Sequence, residues 1–546
     1  MKPWPASTRL WWALAAVPLT FLGLFFLRPA GTVIVRGLLG EDGLGGGDLA
    51  GALEVLARSR TLDAISTTVG LAVAGTAGSL LLGLPAAWAL SRFSWRGART
   101  MRALVTVPFV LPTIVVAAAF SALFSRSGLL GGLGLDQSVT AIVLALVFFN
   151  ISVVVRIVGG AWESLSPRMA DAARTLGASP ARAFLTVTLP ALRPAIASAA
   201  AVVLLFCSTS FALVLILGGS RVRTVETEIY LQVNQFLDLR AAAVLALVQV
   251  VFVAIALWVS ARARAPRPPA AVEPARAPRR RDRWGIAAAL APTALLLTLP
   301  GLALVERSLR TADGYGLDHY AALLGEPPAR STLSAPLWHA AVTSLVTATV
   351  ATAMAAVVGI VTAQLVARRS RRASVLESLV MLPLGVSAVV VGLGVLLTLN
   401  RSVLGVDLRG SWWLVPIAQA VVALPLMVRA LVPAARAIDP RLRAAAATLG
   451  ASPWRVLLRV DAPMLRSATA ASIAFAFAIS MGEFGATAFV ARPDRPTLPT
   501  AIARLLSRPG IENVGMAFAA SVLLAAITAA IMLASERLRT TVGAEI

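Results

Sequence analysis

The stretch RTLGASP at residues 174–180 returns as ATLGASP at residues 447–453, so that Gly177 and Gly450 stand 273 positions apart. The same offset pairs Arg156 with Arg429, Pro167 with Pro440, Arg182 with Arg455, Pro190 with Pro463, Arg193 with Arg466, Phe211 with Phe484 and Thr224 with Thr497. A run of matches at one offset with no gap is an internal duplication, and a duplication has to be recognised before any local reading is trusted. Within each copy, Ser166-Pro167 and Asp439-Pro440 have the form of helix starts, a Ser or Asp N-cap followed by Pro in the first turn. Gly177 and Gly450 supply a backbone free to turn, and Pro180 and Pro453 restart a second helix. The repeat therefore predicts a short helix–turn–helix in each half of the chain.

Outward from these loops the chain is strongly apolar. Of 546 residues, 58% are hydrophobic and 14% charged, with a mean hydropathy of +0.82, which places the chain in a bilayer. Spans of about 20 apolar residues, the length that crosses a bilayer core of about 30 Å, fall near 11–27, 66–90, 103–123, 139–158, 194–217 and 241–261. A second set falls near 285–305, 339–367, 374–399, 412–431, 468–490 and 515–535. The run at 11–27 follows Lys2 and Arg9 as a signal peptide would, but no small-residue cleavage site closes it, and it reads as the first span. The expected fold is an all-α integral membrane protein with about twelve transmembrane helices in two six-helix repeats. An even number of spans per repeat makes the repeats parallel. The expected units are 1–261 and 285–546, joined by 262–284, whose Pro, Ala and Arg content suits an extended tether.

The formal charge of +23 is carried by arginine, Lys2 being the only lysine. The arginines lie in short clusters between spans, as the positive-inside rule requires, and form no continuous basic stripe for nucleic acid. The all-basic loops holding Arg92, Arg96, Arg99 and Arg102, and Arg368, Arg369, Arg371 and Arg372, are placed in the cytoplasm, with both termini. The segment in which Arg307, Arg310 and Arg330 meet Glu306, Asp313, Asp318 and Glu326 is placed outside. The loop with Arg492, Arg495, Arg504 and Arg508 falls outside despite its net positive charge. Cys207, the only cysteine, excludes an intrachain disulfide and reads as a small buried hydrophobe. His319 and His339 are too few and too isolated for a metal site.

Asp171-Ala172-Ala173, then Gly177, then Leu189-Pro190, resemble the EAA loop of binding-protein-dependent ABC importer permeases. The resemblance covers most of the chain, as two fused permease units of that family. It implies that Asp171, Ala172, Ala173 and Gly177, with Ala445, Ala446 and Gly450 in the second copy, dock on a cytoplasmic ABC ATPase dimer and transmit its closure. It also implies an extracytoplasmic solute-binding protein as partner and the bacterial cytoplasmic membrane as location. The acidic position is Asp171 in one copy and Ala444 in the other, so a contact that needs the carboxylate exists on one side only. SFALVLILGG at 210–219 and VETEIY at 225–230 are similar to thiamine permeases, and fused ferric iron permeases resemble the chain as well. GEFGAT at 482–487 and TLPTAI at 497–502 are similar to a segment shared with molybdate and sulfate permeases. The substrate expected first is thiamine, with ferric iron or a molybdate- or sulfate-like anion as alternatives.

With no lysine beyond Lys2 there is no phosphate-cradling GxxxxGK[ST] loop. The chain is expected to catalyse no bond chemistry and to bind no cofactor, ATP being hydrolysed by its partner. A secondary carrier driven by an ion gradient also has parallel six-span halves, but it has no use for matched docking loops and needs intramembrane titratable pairs that the spans lack. Glu483 is the main charge deep in an apolar segment, with two readings: a pathway residue, or a carboxylate that caps backbone or pairs with Arg492. Its repeat mate is Ser210. With Phe211 and Phe484 beside them, these residues define an expected pseudo-twofold constriction, and a negative charge there favours a cationic solute. Asn150, Arg156 and Arg429 are assigned to the cytoplasmic ends of their spans, with a topological role. Pro108, Pro112 and Pro383 are expected to kink theirs.

Overall fold

Inside a bilayer every backbone N–H and C=O has to be satisfied within its own segment, so long apolar runs fold as helices. The computed structural model describes residues 8–40, 49–263, 275–312, 314–325, 336–367, 370–399, 408, 411–508 and 510–543. The first half comprises α1 (Thr8–Leu22) leading through a π turn into α2 (Arg28–Leu39), then α3 (Leu49–Ala57), α4 (Ser59–Arg92), α5 (Ala98–Val110), α6 (Thr113–Phe124) and α7 (Val139–Glu163). It continues with α8 (Pro167–Thr175), α9 (Pro180–Ala183), α10 (Leu189–Ser208), α11 (Phe211–Gly218), α12 (Val225–Asn234) and α13 (Leu239–Ala263). The second half opens with α14 (Arg280–Leu309), a two-residue antiparallel pair of β1 (Arg310–Thr311) with β2 (Gly314–Tyr315), α15 (Asp318–Leu324) and α16 (Leu337–Val366). There follow α17 (Arg371–Met381), α18 (Ala388–Thr398), α19 (Leu414–Ala437), α20 (Pro440–Thr448), α21 (Pro453–Val456), α22 (Ala462–Gly482), α23 (Thr487–Val490), α24 (Leu498–Leu506) and α25 (Ile511–Gly543).

Among the described residues ten helices are long and apolar enough to cross a membrane, or twelve if each of two bent pairs is one span. Those pairs are α5 with α6, bent by 104°, and the 371–385 segment with α18, bent by 98°. Proline explains both breaks. Pro112 is the N-cap of α6, and Pro383 lies in the 3₁₀ turn Leu382–Gly385 that ends α17, since proline lacks the donor that would continue the ladder. From α8 to α10 and from α20 to α22 the helix boundaries of the two copies coincide at the 273-residue offset to within one residue, down to a π turn at Phe184–Thr188 and at Leu457–Asp461.

The halves interlock rather than merely abut. The first span of the chain, α1 and α2, packs on α16 and α18 of the second half, while α14 packs on α4 and α6 of the first. Each half thus completes the apolar wall of the other. The tether expected at 262–284 is shorter: α13 runs to Ala263 and α14 begins at Arg280, and most of the intervening stretch, residues 264–274, lies outside the described residues. Its far end is pinned, because Arg276 N–H donates to Arg92 O (3.1 Å), Ser94 N–H donates to Arg276 O (2.9 Å), and the Arg276 guanidinium lies over the Phe93 ring. Lys2, Arg368, Arg369, Asp313, Glu326 and Arg330 of the charge-placement argument lie outside the described residues.

One assignment has to be corrected. Asn150 is not at the end of a span. The helix α7 continues to Glu163, so Asn150 sits at its middle, 1% exposed, with its Nδ2 donating to Leu146 O (2.9 Å) and to Cys207 Sγ (3.4 Å). The continuously apolar run stops near residue 158, but two glycines and a tryptophan at residues 159–162 carry the helix on. Cys207 is buried as expected, and no group of His, Cys, Asp and Glu among the described residues could hold a metal.

Candidate functional site

The four residues expected at the constriction line one cavity, and the two phenylalanines are in contact. Phe211, the first residue of α11, and Phe484, just past the end of α22, stack with centroids 5.3 Å apart and planes 14° from parallel. Tyr230 extends the cluster, 5.4 Å from Phe211 and 5.7 Å from Phe489. Both phenylalanines are buried. An offset aromatic pair of this kind adds about 0.5–1.5 kcal/mol beyond its area burial.

Glu483 adopts the capping role. Its Oε1 accepts from Ala486 N–H (2.7 Å), and its Oε2 accepts from Thr487 N–H (3.0 Å) and from the Thr487 hydroxyl (2.6 Å). These bonds satisfy the orphan donors at the start of α23. Arg492 instead pairs with Asp494 at 3.0 Å. Ser210, the repeat mate, precedes α11 without any side-chain capping bond. The loop around Glu483 is held from the other half as well: a Cβ on Gly482 would stand 2.8 Å from Pro112 Cβ, so only glycine lets the break of the first half touch the gate of the second.

Behind the phenylalanine pair lies a cavity of about 290 Å³ between the halves, lined by Ser210, Phe211, Glu483 and Phe484 and also by Asn150 and Glu226. Glu226 was missed by the sequence reading, which saw it only inside VETEIY. It is 1% exposed and stands in the first turn of α12, where a carboxylate suits the helix dipole. That helix is anchored by Val225 N–H donating to the Thr68 hydroxyl (2.9 Å) and by Glu228 paired with Arg60 (2.5 Å). The second half repeats the anchor, with Leu498 N–H donating to the Ser344 hydroxyl (2.7 Å). The Glu226 carboxylate reaches across to the hydroxyl of Ser387, the N-cap of α18.

The two matched loops form as expected. Ser166 Oγ accepts from Arg168 N–H and Asp439 Oδ1 from Arg441 N–H, capping α8 and α20. Both helices end in a left-handed glycine, Gly177 at φ 89° and Gly450 at φ 78°. Ala178 N–H then bonds Ala173 O and Ala451 N–H bonds Ala446 O, each at 3.0 Å, which closes the helix ends. Asp171 pairs loosely with Arg174 at 3.8 Å, both exposed. In the second copy the ion pair is a different one, Arg443 with the buried Asp461 at 2.7 Å. With the bent pair of 371–385 and α18 taken as one span, six crossings separate the loops and both lie on one face. The most exposed large apolar side chains there are Leu176 (89%) and Leu449 (88%). The signal for them was present in both copies, as the apolar residue just before each turn glycine.

Residues 79–265 and 321–542 each match the family model described as the binding-protein-dependent transport system inner membrane component. The chain therefore belongs to that family and is a multi-pass permease subunit of an ABC importer, a transport protein rather than an enzyme. Within it, the chain is similar to the thiamine transport system permease protein ThiP of Brucella abortus, 27% identical over 495 residues, 86% of each chain. The Escherichia coli protein of the same name is 30% identical over 442 residues, 77% of this chain and 80% of that one. The molybdenum transport system permease protein ModB of Mycobacterium tuberculosis is 35% identical over 209 residues, 36% of this chain and 78% of the relative. A crystal structure of a bacterial ABC transporter involved in the import of the acidic polysaccharide alginate overlaps with a TM-score of 0.40 and 16% identity, covering 47% of this chain and 96% of that one.

Proposed function

We propose that this chain forms the translocation pathway of a thiamine importer, working with two copies of a cytoplasmic ABC ATPase and an extracytoplasmic binding protein. Both termini and both docking loops face the cytoplasm. ATP is hydrolysed by the partner, and the chain holds no cofactor of its own. The observation that carries this reading is the direct mechanical link from each docking loop to the gate. Residues 180–208 and 454–482 are single helices of 29 residues, rods of about 43 Å at a rise of 1.5 Å per residue. One end of each is the docking loop and the other is Ser210-Phe211 or Glu483-Phe484. Closure of the ATPase pair draws Leu176 and Leu449 together, and the rods convert that displacement into separation of the stacked phenylalanines. The π turn at the foot of each rod is a place where the ladder gives.

Thiamine is favoured by the relatives of matching length and by the carboxylates around the cavity, which suit an organic cation and repel an oxyanion. The ModB similarity supports molybdate as a second reading. The deciding experiment is uptake and ATP hydrolysis by the complete complex in proteoliposomes, offering thiamine, molybdate or ferric iron, with the Gly177→Arg/Gly450→Arg double variant as control. Thiamine uptake that is lost in the variant supports the reading. Molybdate or ferric iron uptake without thiamine uptake overturns the substrate, and transport without ATP hydrolysis overturns the importer.

A further inference from the structure

Of the two carboxylates at the cavity, Glu483 has its oxygens engaged by three donors of its own chain. Glu226 does not: its Oε1 is buried with no hydrogen-bond partner. Asn150, 1% exposed and lining the same cavity, likewise has an unpartnered Oδ1. Both open atoms are acceptors, one of them on a carboxylate. A buried acceptor left without a donor is unfavourable, and two such acceptors on residues lining one cavity favour a group that brings donors or positive charge. The remaining walls are mostly aliphatic, with Phe149, Phe206 and Phe475 joining Phe211 and Phe484, and aromatic faces attract cations.

We propose that Glu226 and Asn150 form a binding site for an aromatic organic monocation in transit, and that Glu226, not Glu483, is the carboxylate that selects for positive charge. The proposal rests on the thiamine reading and names the residues that carry it. Ser387 joins Glu226 to the other half, so a charge effect has to be separated from loosening of that contact. Gln at 226 keeps an acceptor for Ser387 and removes the charge, whereas Ser387→Ala removes the contact and keeps the charge.

The test is labelled thiamine uptake by the complete complex in proteoliposomes, with binding-protein-stimulated ATP hydrolysis read in parallel. Expected are a tenfold or greater fall in uptake for Glu226→Gln with ATP hydrolysis preserved, partial recovery in Glu226→Asp, and less than a twofold change in Ser387→Ala. Asn150→Asp, which adds a second negative charge to the site, is expected to lower the KM for thiamine several-fold, and it decides the matter if Glu226→Gln does not assemble. Full thiamine uptake by Glu226→Gln, an equal loss in Ser387→Ala, or an unchanged KM in Asn150→Asp overturns the proposal while leaving the thiamine reading intact. If the unaltered complex moves molybdate or ferric iron and not thiamine, the reading falls first and this site falls with it.

Discussion

The two ends of the duplicated unit have diverged to different degrees. At the docking end the copies are nearly superimposable in design: the same capped helix, the same left-handed glycine, the same exposed leucine, the same π turn. At the other end Phe211 and Phe484 still face each other, but in sequence Ser210 corresponds to Glu483, Glu226 to Pro499 and Asn150 to Ala423. On the proposed function, loops that meet two copies of one ATPase have to present the same surface twice, whereas a cavity that holds one asymmetric molecule has no such constraint. On that reading, symmetry tracks the partner rather than the ancestry.

The strongest way to break this comparison is at the leucines. Leu176→Asp with Leu449→Asp is expected to lower ATP-driven uptake about a hundredfold, since charge replaces the apolar anchors at the centre of both contacts. Each single variant is expected to lower it comparably to the other, and unequal losses would show that the docking ends are not equivalent. The next largest effect lies at the buried ion pair of the second loop. Arg443→Ala leaves Asp461 without its partner and is expected to destabilise the permease by roughly 2–3 kcal/mol, read as a fall in thermal unfolding midpoint. Asp171→Ala, at the exposed and loosely paired position of the first copy, is expected to change it by no more than about 0.5 kcal/mol. The gate sharpens the contrast on a smaller scale. Glu483→Ala removes a side-chain cap and is expected to destabilise by roughly 1–2 kcal/mol, while Ser210→Ala, which removes no capping bond, stays within about 0.5 kcal/mol. Equal effects of the last two would return Ser210 and Glu483 to a shared role.

Much of this arrangement was legible before any coordinates. Hydrophobic length marked the spans, the prolines marked the breaks at Pro112 and Pro383, and the offset of 273 put Ser210 and Phe211 opposite Glu483 and Phe484. Each of these depends on interactions that are local or repeated. Helix formation in a bilayer follows from the chain's own apolarity, and a duplicated segment carries its partner's position with it. The role of Glu483 was open between pathway and cap because the two differ only in where a side chain turns, and its donors, Ala486 and Thr487, are three and four residues away.

The tertiary structure alone decided which polar residues face one another. Asn150 lies in the middle of an apolar helix, Glu226 in a short amphipathic one, and Ser387 at a break in the other half, and no periodicity relates their positions. The crossing of α1 and α2 onto the second half, and of α14 onto the first, was equally invisible, because an apolar helix face states that it will be covered but not by what. Apolarity and repetition are properties of the chain taken along its length, so the sequence by itself determined the spans, the two matched helix–turn–helix loops and the pairing of Phe211 with Phe484. The cavity with its open acceptors exists only where segments distant in sequence converge, and burial of an unpaired carboxylate oxygen is a property of that convergence and not of any one of them.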